Sequence, residues 1–235
     1  MSALHVKIFA DGADLDVIGR YAQDPAIRGF TTNPTLMRKA GVTDYEAFAR
    51  AALALIGARP ISFEVFSDEF DEMERQARRI AAWGDNVYVK IPVTNTKREP
   101  ADGLIRRLAQ AGVRVNVTAV MTQAQVERVA ACLAGGAPSV ISVFAGRIAD
   151  AGVDPVPIVR AAVAAVRAQP SIEIIWASPR ELFNLIQADR AGCHIITMTP
   201  DLLAKLPLIG RDLDDFSLDT VKMFHADGAA AGYRL

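Results

Sequence analysis

Apolar residues in this chain fall into short dense runs, separated by longer stretches in which they recur every three or four positions. The short runs at 5–10, 29–31, 61–66, 87–91, 113–119, 140–144, 172–177 and 194–197 are rich in Val, Ile, Phe and Thr, and they predict β-strands. Most are apolar on both faces, as parallel strands covered by helices are. The stretches between them predict helices. Phe70, Met73, Ala77 and Ile80 share one side of a helix following Ser67 and Asp68, with Glu72, Arg75, Arg78 and Arg79 on the other. Thr122 and Gln125 read as a capping box ahead of Val126, Val129, Ala130 and Leu133. Ser178-Pro179-Arg180-Glu181 reads as a further helix start, with Ser at the cap and Pro in the first helical position. Gly112 and Gly192 end helices before the next strand.

Eight βα units without a linker or low-complexity tract predict an α/β fold, a (β/α)8 TIM barrel spanning residues 1–235 as one domain. A doubly wound open sheet is the alternative. It usually carries a Gly-rich turn after its first strand, and Asp11-Gly12-Ala13-Asp14 is not one. Residues 217–235 exceed what the eighth barrel helix needs. Leu218, Val221, Met223 and Phe224 there predict an amphipathic C-terminal helical extension, docked on the barrel or on a neighbouring subunit of a homo-oligomer.

Composition narrows the function classes. With 235 residues, 51% of them hydrophobic, the chain can bury one large core. A formal net charge of -1 supplies no field for nucleic acid or an anionic membrane surface, so neither is expected as a partner. No segment approaches about 18 unbroken apolar residues, and the first strand begins without a basic-then-apolar leader, which predicts a cytoplasmic protein. Cys132 and Cys193 lie in apolar surroundings without metal-binding spacing and read as core residues of a reducing compartment. His5, His194 and His225 are scattered and read as structural, so no metal site is expected. Asp212, Asp214, Asp215 and Asp219 read as cap and first-turn charges of the last helix.

The residue that changes this picture is Lys90, near the end of the run Val87-Tyr88-Val89-Lys90-Ile91-Pro92. A lysine at the end of a buried strand is poorly hydrated; burial favours the free amine, which attacks carbonyls. A snorkelling lysine is the bland alternative. The other strand ends decide between them, because a barrel of this kind works there. The first strand ends in Asp11 and the second runs into Thr31-Thr32-Asn33-Pro34-Thr35. The third carries Glu64, the fifth Asn116 and Thr118, the sixth Ser142, Phe144 and Arg147, and the seventh leads to Ser178 and Arg180. Asn33, Asn116, Thr118 and Ser178 each have a turn, strand or cap explanation alone. Buried Glu64 and Asp11 are harder to dismiss, since an unpaired carboxylate inside a barrel is costly.

On these residues the chain resembles the transaldolase family, in its short single-barrel form close to fructose-6-phosphate aldolases. The resemblance is carried by Phe9-Ala10-Asp11, Gly29-Phe30-Thr31-Thr32-Asn33-Pro34-Thr35, Ser62-Phe63-Glu64-Val65, Val89-Lys90-Ile91-Pro92 and Val115-Asn116-Val117-Thr118. It continues through Ile141-Ser142-Val143-Phe144-Ala145-Gly146-Arg147 and Ala177-Ser178-Pro179-Arg180, in family order. It implies a cofactor-free enzyme of carbohydrate metabolism, of the pentose phosphate pathway type, acting on small sugar phosphates. Lys90 would form an imine with a ketose carbonyl, while Glu64 and Thr118 would hold a water that moves protons. Asp11 would take and return the hydroxyl proton as the carbon–carbon bond breaks. Thr32, Asn33, Asn116 and Ser142 would line the dihydroxyacetone end, and Arg147, Ser178 and Arg180 would hold the phosphate. A helix N-terminus beginning at Ser178 would assist them. The resemblance makes phenylalanine usual at position 144 in transaldolases and tyrosine usual in fructose-6-phosphate aldolases. Phe144 therefore points to transfer of a three-carbon unit rather than its release. Trp176 and the segment after Arg180 depart from the common short-family pattern and bear on the acceptor.

Overall fold

In the computed structural model, which describes residues 4–234, eight parallel strands close into a barrel in chain order. The ends of the expected domain, residues 1–3 and 235, lie outside the described residues. The strands are β1 (Lys7–Asp11), β2 (Ile27–Thr31), β3 (Ile61–Glu64), β4 (Val87–Pro92), β5 (Val115–Val120), β6 (Ser139–Val143), β7 (Ile172–Trp176) and β8 (Ile195–Met198). Closure is made by β1 against β8, from Lys7 opposite Ile195 to Ala10 opposite Met198. Around them run α1 (Leu15–Tyr21), α2 (Pro34–Lys39), α3 (Tyr45–Ile56), α4 (Phe70–Ala81), α5 (Asp102–Gln110) and α6 (Gln123–Leu133). The remainder are α7 (Ala145–Asp150), α8 (Pro155–Val166), α9 (Phe183–Arg190), α10 (Pro200–Leu203) and α11 (Leu213–Ala231). The (β/α)8 barrel expected from periodicity is the fold.

Where strand limits differ from expectation, side chains or helix ends have claimed the backbone. β1 begins at Lys7 because the amides of His5 and Val6 donate to Asp189 Oδ1, at 2.6 and 3.0 Å. β3 stops at Glu64 because Phe66 and Ser67 donate to Gln76 Oε1 instead of a strand. Val113 is held by the end of α5, through Leu108 O at 3.0 Å, before β5 starts. The capping box of Thr122 and Gln125 opens α6 as read.

One expectation fails, and one boundary moves. Ser178 does not cap a helix: its φ is +60°, and α9 begins only at Phe183. Asn184 Oδ1 accepts from the amides of Arg180 and Glu181, at 2.7 and 3.2 Å, holding the segment in a loop. The Ser-Pro-x-Glu signal is overridden by this competing local bond to Asn184. The C-terminal helix α11 starts at Leu213, earlier than 217, where Asp212 caps it by accepting from Asp214 and Asp215. It does not dock on the barrel of its own chain; none of its described residues is buried, and Leu213 and Phe224 are 78% and 65% exposed.

The main core lies between strands and helices. Outward residues such as Phe30, Phe63, Val89, Val117, Ile141 and Trp176 are almost wholly buried there. A smaller plug of Phe9, Val140, Ile175 and Ile195, with Tyr88 against it, fills the barrel interior. Gly29 makes room for it: a Cβ on that residue would lie 2.5 Å from the Phe9 ring. Above the plug the interior turns polar. This is the layer that strand ends present to solvent. The two cysteines are free and buried, as read, and burial pushes the Cys193 thiol up to about 12. Among the described residues, no helix is long and apolar enough to cross a membrane.

Candidate active site

Strand alternation decides the chemistry of the barrel mouth. In β4, Val87, Val89 and Ile91 pack toward the helices, so Tyr88, Lys90 and Pro92 face the axis. The same parity turns Glu64 of β3, Asn116 and Thr118 of β5, and Ser142 of β6 inward. Strand register then sets Glu64, Lys90 and Asn116 at one level, with Thr118 opposite Pro92 in the layer above. Glu64 lies opposite Lys90, and Lys90 opposite Asn116. A cavity of about 460 Å³ opens above them, with Asp11 on one wall and Asn33, Phe144, Arg147, Ser178 and Arg180 toward the rim.

Lys90 is only 6% exposed, and its ammonium has two partners. Nζ donates to the carbonyl of Thr32 at 2.8 Å and lies 3.1 Å from Glu64 Oε2. A lysine buried so deeply requires such partners, and the snorkelling alternative is excluded. Asn116 donates through Nδ2 to Ser62 Oγ at 3.0 Å, while Ser142 Oγ donates to Asn116 Oδ1 at 2.7 Å. This chain of bonds fixes which end of the amide faces which strand. Thr118 Oγ1 is buried and has no hydrogen-bond partner among the described residues. Just after it, Ala119 takes a φ of +61°, where the pairing of β5 with β6 shifts register. A left-handed alanine within a strand is strained backbone, and strain of this kind concentrates at functional sites.

Asp11 Oδ1 accepts from Thr31 Oγ1 at 2.7 Å, and Thr31 is in turn bonded to the hydroxyl of Thr197 on β8. Burial raises the Asp11 carboxyl above its ordinary range. It outweighs the nearby Lys90 ammonium and the Thr31 bond, which favour the carboxylate, and Glu64 adds a smaller upward push. Asn33 caps α2, its Oδ1 accepting from Leu36 at 3.0 Å, so its carbonyl oxygen is engaged while it still lines the cavity. Thr32 departs from expectation. Its hydroxyl donates to Ser62 O at 3.0 Å and does not line the cavity; its contribution is the carbonyl that receives Lys90.

On the rim, Arg180 forms a two-pronged ion pair with Asp150 at the end of α7, with Nε donating to Oδ1 at 3.0 Å and Nη2 to Oδ2. That contact holds the Asp150 carboxyl below its usual value. Gly146 lets the Ser178 loop lie close: a Cβ there would meet Ser178 O at 1.5 Å. Trp176 takes no part. It is fully buried in the outer core. Sequence reasoning missed Thr31, Thr197 and Asp150. The first stood within the Thr-Thr-Asn-Pro motif, the second at the end of the last strand, and either place was a signal; Asp150 had none.

The site therefore offers a buried amine, two carboxyl groups, amide and hydroxyl donors in register, and guanidinium groups at the entrance. A polyhydroxylated carbonyl compound with an anionic end matches that set. Barrel and site together define an aldolase-type protein. The sequence matches the Transaldolase/Fructose-6-phosphate aldolase family over residues 8–232, and the chain belongs to that family. A "Probable transaldolase" of Dehalococcoides mccartyi is 33% identical over 220 residues, covering 91% of this chain and 97% of that protein. Another of the same name from Roseiflexus castenholzii is 36% identical over 195 residues, covering 82% and 85%. Among solved structures, "QR15, an Aldolase" superposes with a TM-score of 0.55 at 14% identity, covering 84% of this chain and 92% of that one, a likeness of fold.

The raised Asp11 carboxyl has a measurable consequence. Asp11 binds its proton more tightly in the folded than in the unfolded chain, where the ordinary value of 3.8 applies. The resulting stabilisation is complete below that value and is lost as pH rises through the folded value, so ionised Asp11 is a net cost near neutrality. Asp11→Asn should raise Tm at about pH 7, and its advantage should vanish as pH falls toward about 4. Scanning calorimetry across this range checks it; an advantage that grows on acidification contradicts the assignment.

Proposed function

We propose that the protein is a Schiff-base transaldolase. It moves a dihydroxyacetone unit from a ketose phosphate, such as fructose 6-phosphate or sedoheptulose 7-phosphate, to an aldose phosphate. One observation carries this reading. The Lys90 amine is buried at the floor of the mouth, 3.1 Å from Glu64 and within the electrostatic reach of Asp11.

The chemistry follows from the positions. Glu64 takes the proton that leaves the ammonium, and the free amine attacks the ketose carbonyl. A water held by Glu64 and Thr118 carries protons to the departing hydroxyl, since the Thr118 hydroxyl is uncommitted inside the protein. The resulting iminium is an electron sink. Asp11, whose raised affinity for protons makes it the better base, removes the proton from the C4 hydroxyl. The C3–C4 bond breaks, its electron pair passes into the iminium as an enamine, and the aldehyde leaves. Asn33, Asn116 and Ser142 hold the hydroxyls of the three-carbon fragment. An acceptor aldehyde then enters, the enamine attacks it, and Asp11 returns the proton to the new hydroxyl.

Arg147, Ser178 and Arg180 receive the phosphate of donor and acceptor alike. A planar guanidinium suits that group. The rim loop, rather than a helix N-terminus at Ser178, presents it. Phe144 favours transfer: a phenyl ring has no proton to give the enamine, so the fragment waits for an aldehyde instead of being released. We also read the active particle as a homo-oligomer, because the apolar side chains of α11 lie uncovered in the single chain.

Borohydride reduction in the presence of fructose 6-phosphate, followed by peptide mass mapping, should place one adduct on Lys90. Lys90→Ala should abolish both adduct and turnover while circular dichroism stays unchanged; a Lys90 that is never labelled ends the proposal. Sugar turnover should need erythrose 4-phosphate, and product formation indifferent to that acceptor would mean aldol cleavage without transfer. Arg180→Ala removes binding shared by ground and transition states, so KM should rise about tenfold or more with kcat nearly kept. The reverse pattern assigns Arg180 to the chemistry. Sedimentation of the intact chain should give a species larger than a monomer, and deletion of 213–235 should shift it toward monomer; an unchanged sedimentation profile rejects the role of α11.

A further inference from the structure

β2 runs out before its neighbour does. Its pairing with β3 ends at Thr31 opposite Ser62, and the chain then turns away into α2. The carbonyl of Ser62 is still served, by the amide and hydroxyl of Thr32 at 3.2 and 3.0 Å. Peptide groups in a strand point alternately to either neighbour. The N–H and C=O of Glu64 therefore face the same side as those of Ser62, where no strand remains. Val65, one residue on, faces the other way and donates to Lys90 O at 3.2 Å.

A single side chain fills the gap. The hydroxyl of Tyr45, the first residue of α3, accepts from the Glu64 amide at 2.8 Å and donates to the Glu64 carbonyl at 3.0 Å. One O–H satisfies both groups that a strand would have paired. The ring that carries it is boxed edge-on by Phe63, Phe66 and Trp83, at centroid distances of 6.1, 4.5 and 5.4 Å. Burial holds the Tyr45 phenol well above its ordinary range, so it keeps the proton it donates. The hydroxyl is thus a fixed post on which the end of β3 hangs.

From this geometry we infer that Tyr45 is a positioning residue for Glu64, setting its carboxylate at the distance from the Lys90 amine that proton transfer requires. The inference rests on the Schiff-base reading and deepens it. A backbone displaced at Glu64 moves the carboxylate directly, and displacements of about 1 Å at a reacting group can lower rates by up to about a hundredfold.

The test is Tyr45→Phe in the full chain, which removes one oxygen atom and keeps the ring. The rate of hydride-trapped adduct on Lys90 with fructose 6-phosphate, per folded chain by circular dichroism, should fall about tenfold, with KM within about twofold of wild type. In a Glu64→Gln background the same substitution should cost nothing further, since both act through one group. Val129→Ala, in the buried face of α6, serves as a destabilised control with wild-type trapping. Tyr45→Phe that lowers Tm yet leaves the trapping rate unmoved overturns the inference, as do losses that multiply independently in the two backgrounds. Failure of the Schiff-base reading shows separately, as absence of any Lys90 adduct in the wild-type protein.

Discussion

A lysine with almost no exposure must be accommodated before anything else about this barrel mouth can hold. Left alone in a low-dielectric interior, an ammonium costs several kcal/mol. Here the cost is met by Glu64 at the end of β3 and by the Thr32 carbonyl just past β2, both of which precede Lys90 in the chain. The arrangement exists only if β2, β3 and β4 are neighbours in the observed register, with Glu64 opposite Lys90. A slip of one residue would turn the amine into the hydrophobic layer and the apolar Val89 or Ile91 into the mouth. The buried pair thus penalises wrong registers.

Stability and activity are divided between two shells of the same strands. The outward faces bury aliphatic and aromatic side chains against helices, and the inner plug closes the lower barrel. That leaves the upper interior free to hold polar groups that contribute little to folding. Even there each group is tied to another: Ser142 to Asn116, Asn116 to Ser62, Thr31 to Asp11. Such bonds fix rotamers, so reacting groups need not reorganise when a substrate arrives. The Thr118 hydroxyl and the strained backbone at Ala119 are exceptions in β5, just beyond the register partner of Lys90.

Much of this was legible in the sequence, for a physical reason. Periodicity carries strand parity, and parity alone places Glu64, Lys90, Asn116, Thr118 and Ser142 on one face. The barrel closure then brings them together without further information. What the sequence left hidden were side-chain contacts that no propensity pattern specifies. Ser178 looked like a helix cap because its neighbours Pro179 and Glu181 fit that pattern; Asn184, only four residues on from Arg180, takes the Arg180 amide instead. The same holds for Asp150 on Arg180, and for Tyr45, which looks like an ordinary aromatic at a helix start until Glu64 is found across from its hydroxyl. Thr32 erred in the opposite direction. It belongs to the motif, yet its side chain is spent on the strand and its carbonyl does the work.

On the proposed reading one mouth takes both a donor and an acceptor, and the rim offers a physical reason why it could. The reacting floor is rigid and buried, whereas Arg180 is about half exposed and already engaged with Asp150. In the proposed transfer, an arriving phosphate would compete with that carboxylate for the same planar fork, so each sugar phosphate would exchange one pairing for another instead of meeting a bare charge. Exchange of this kind would temper affinity, as the proposed transfer requires: the first aldehyde must leave before the acceptor enters, while the three-carbon fragment stays fixed to Lys90. On that reading a covalent anchor below and a competed anionic grip above would separate those two demands, and Phe144, which has no proton to offer, would leave the next aldehyde as the fragment's outlet.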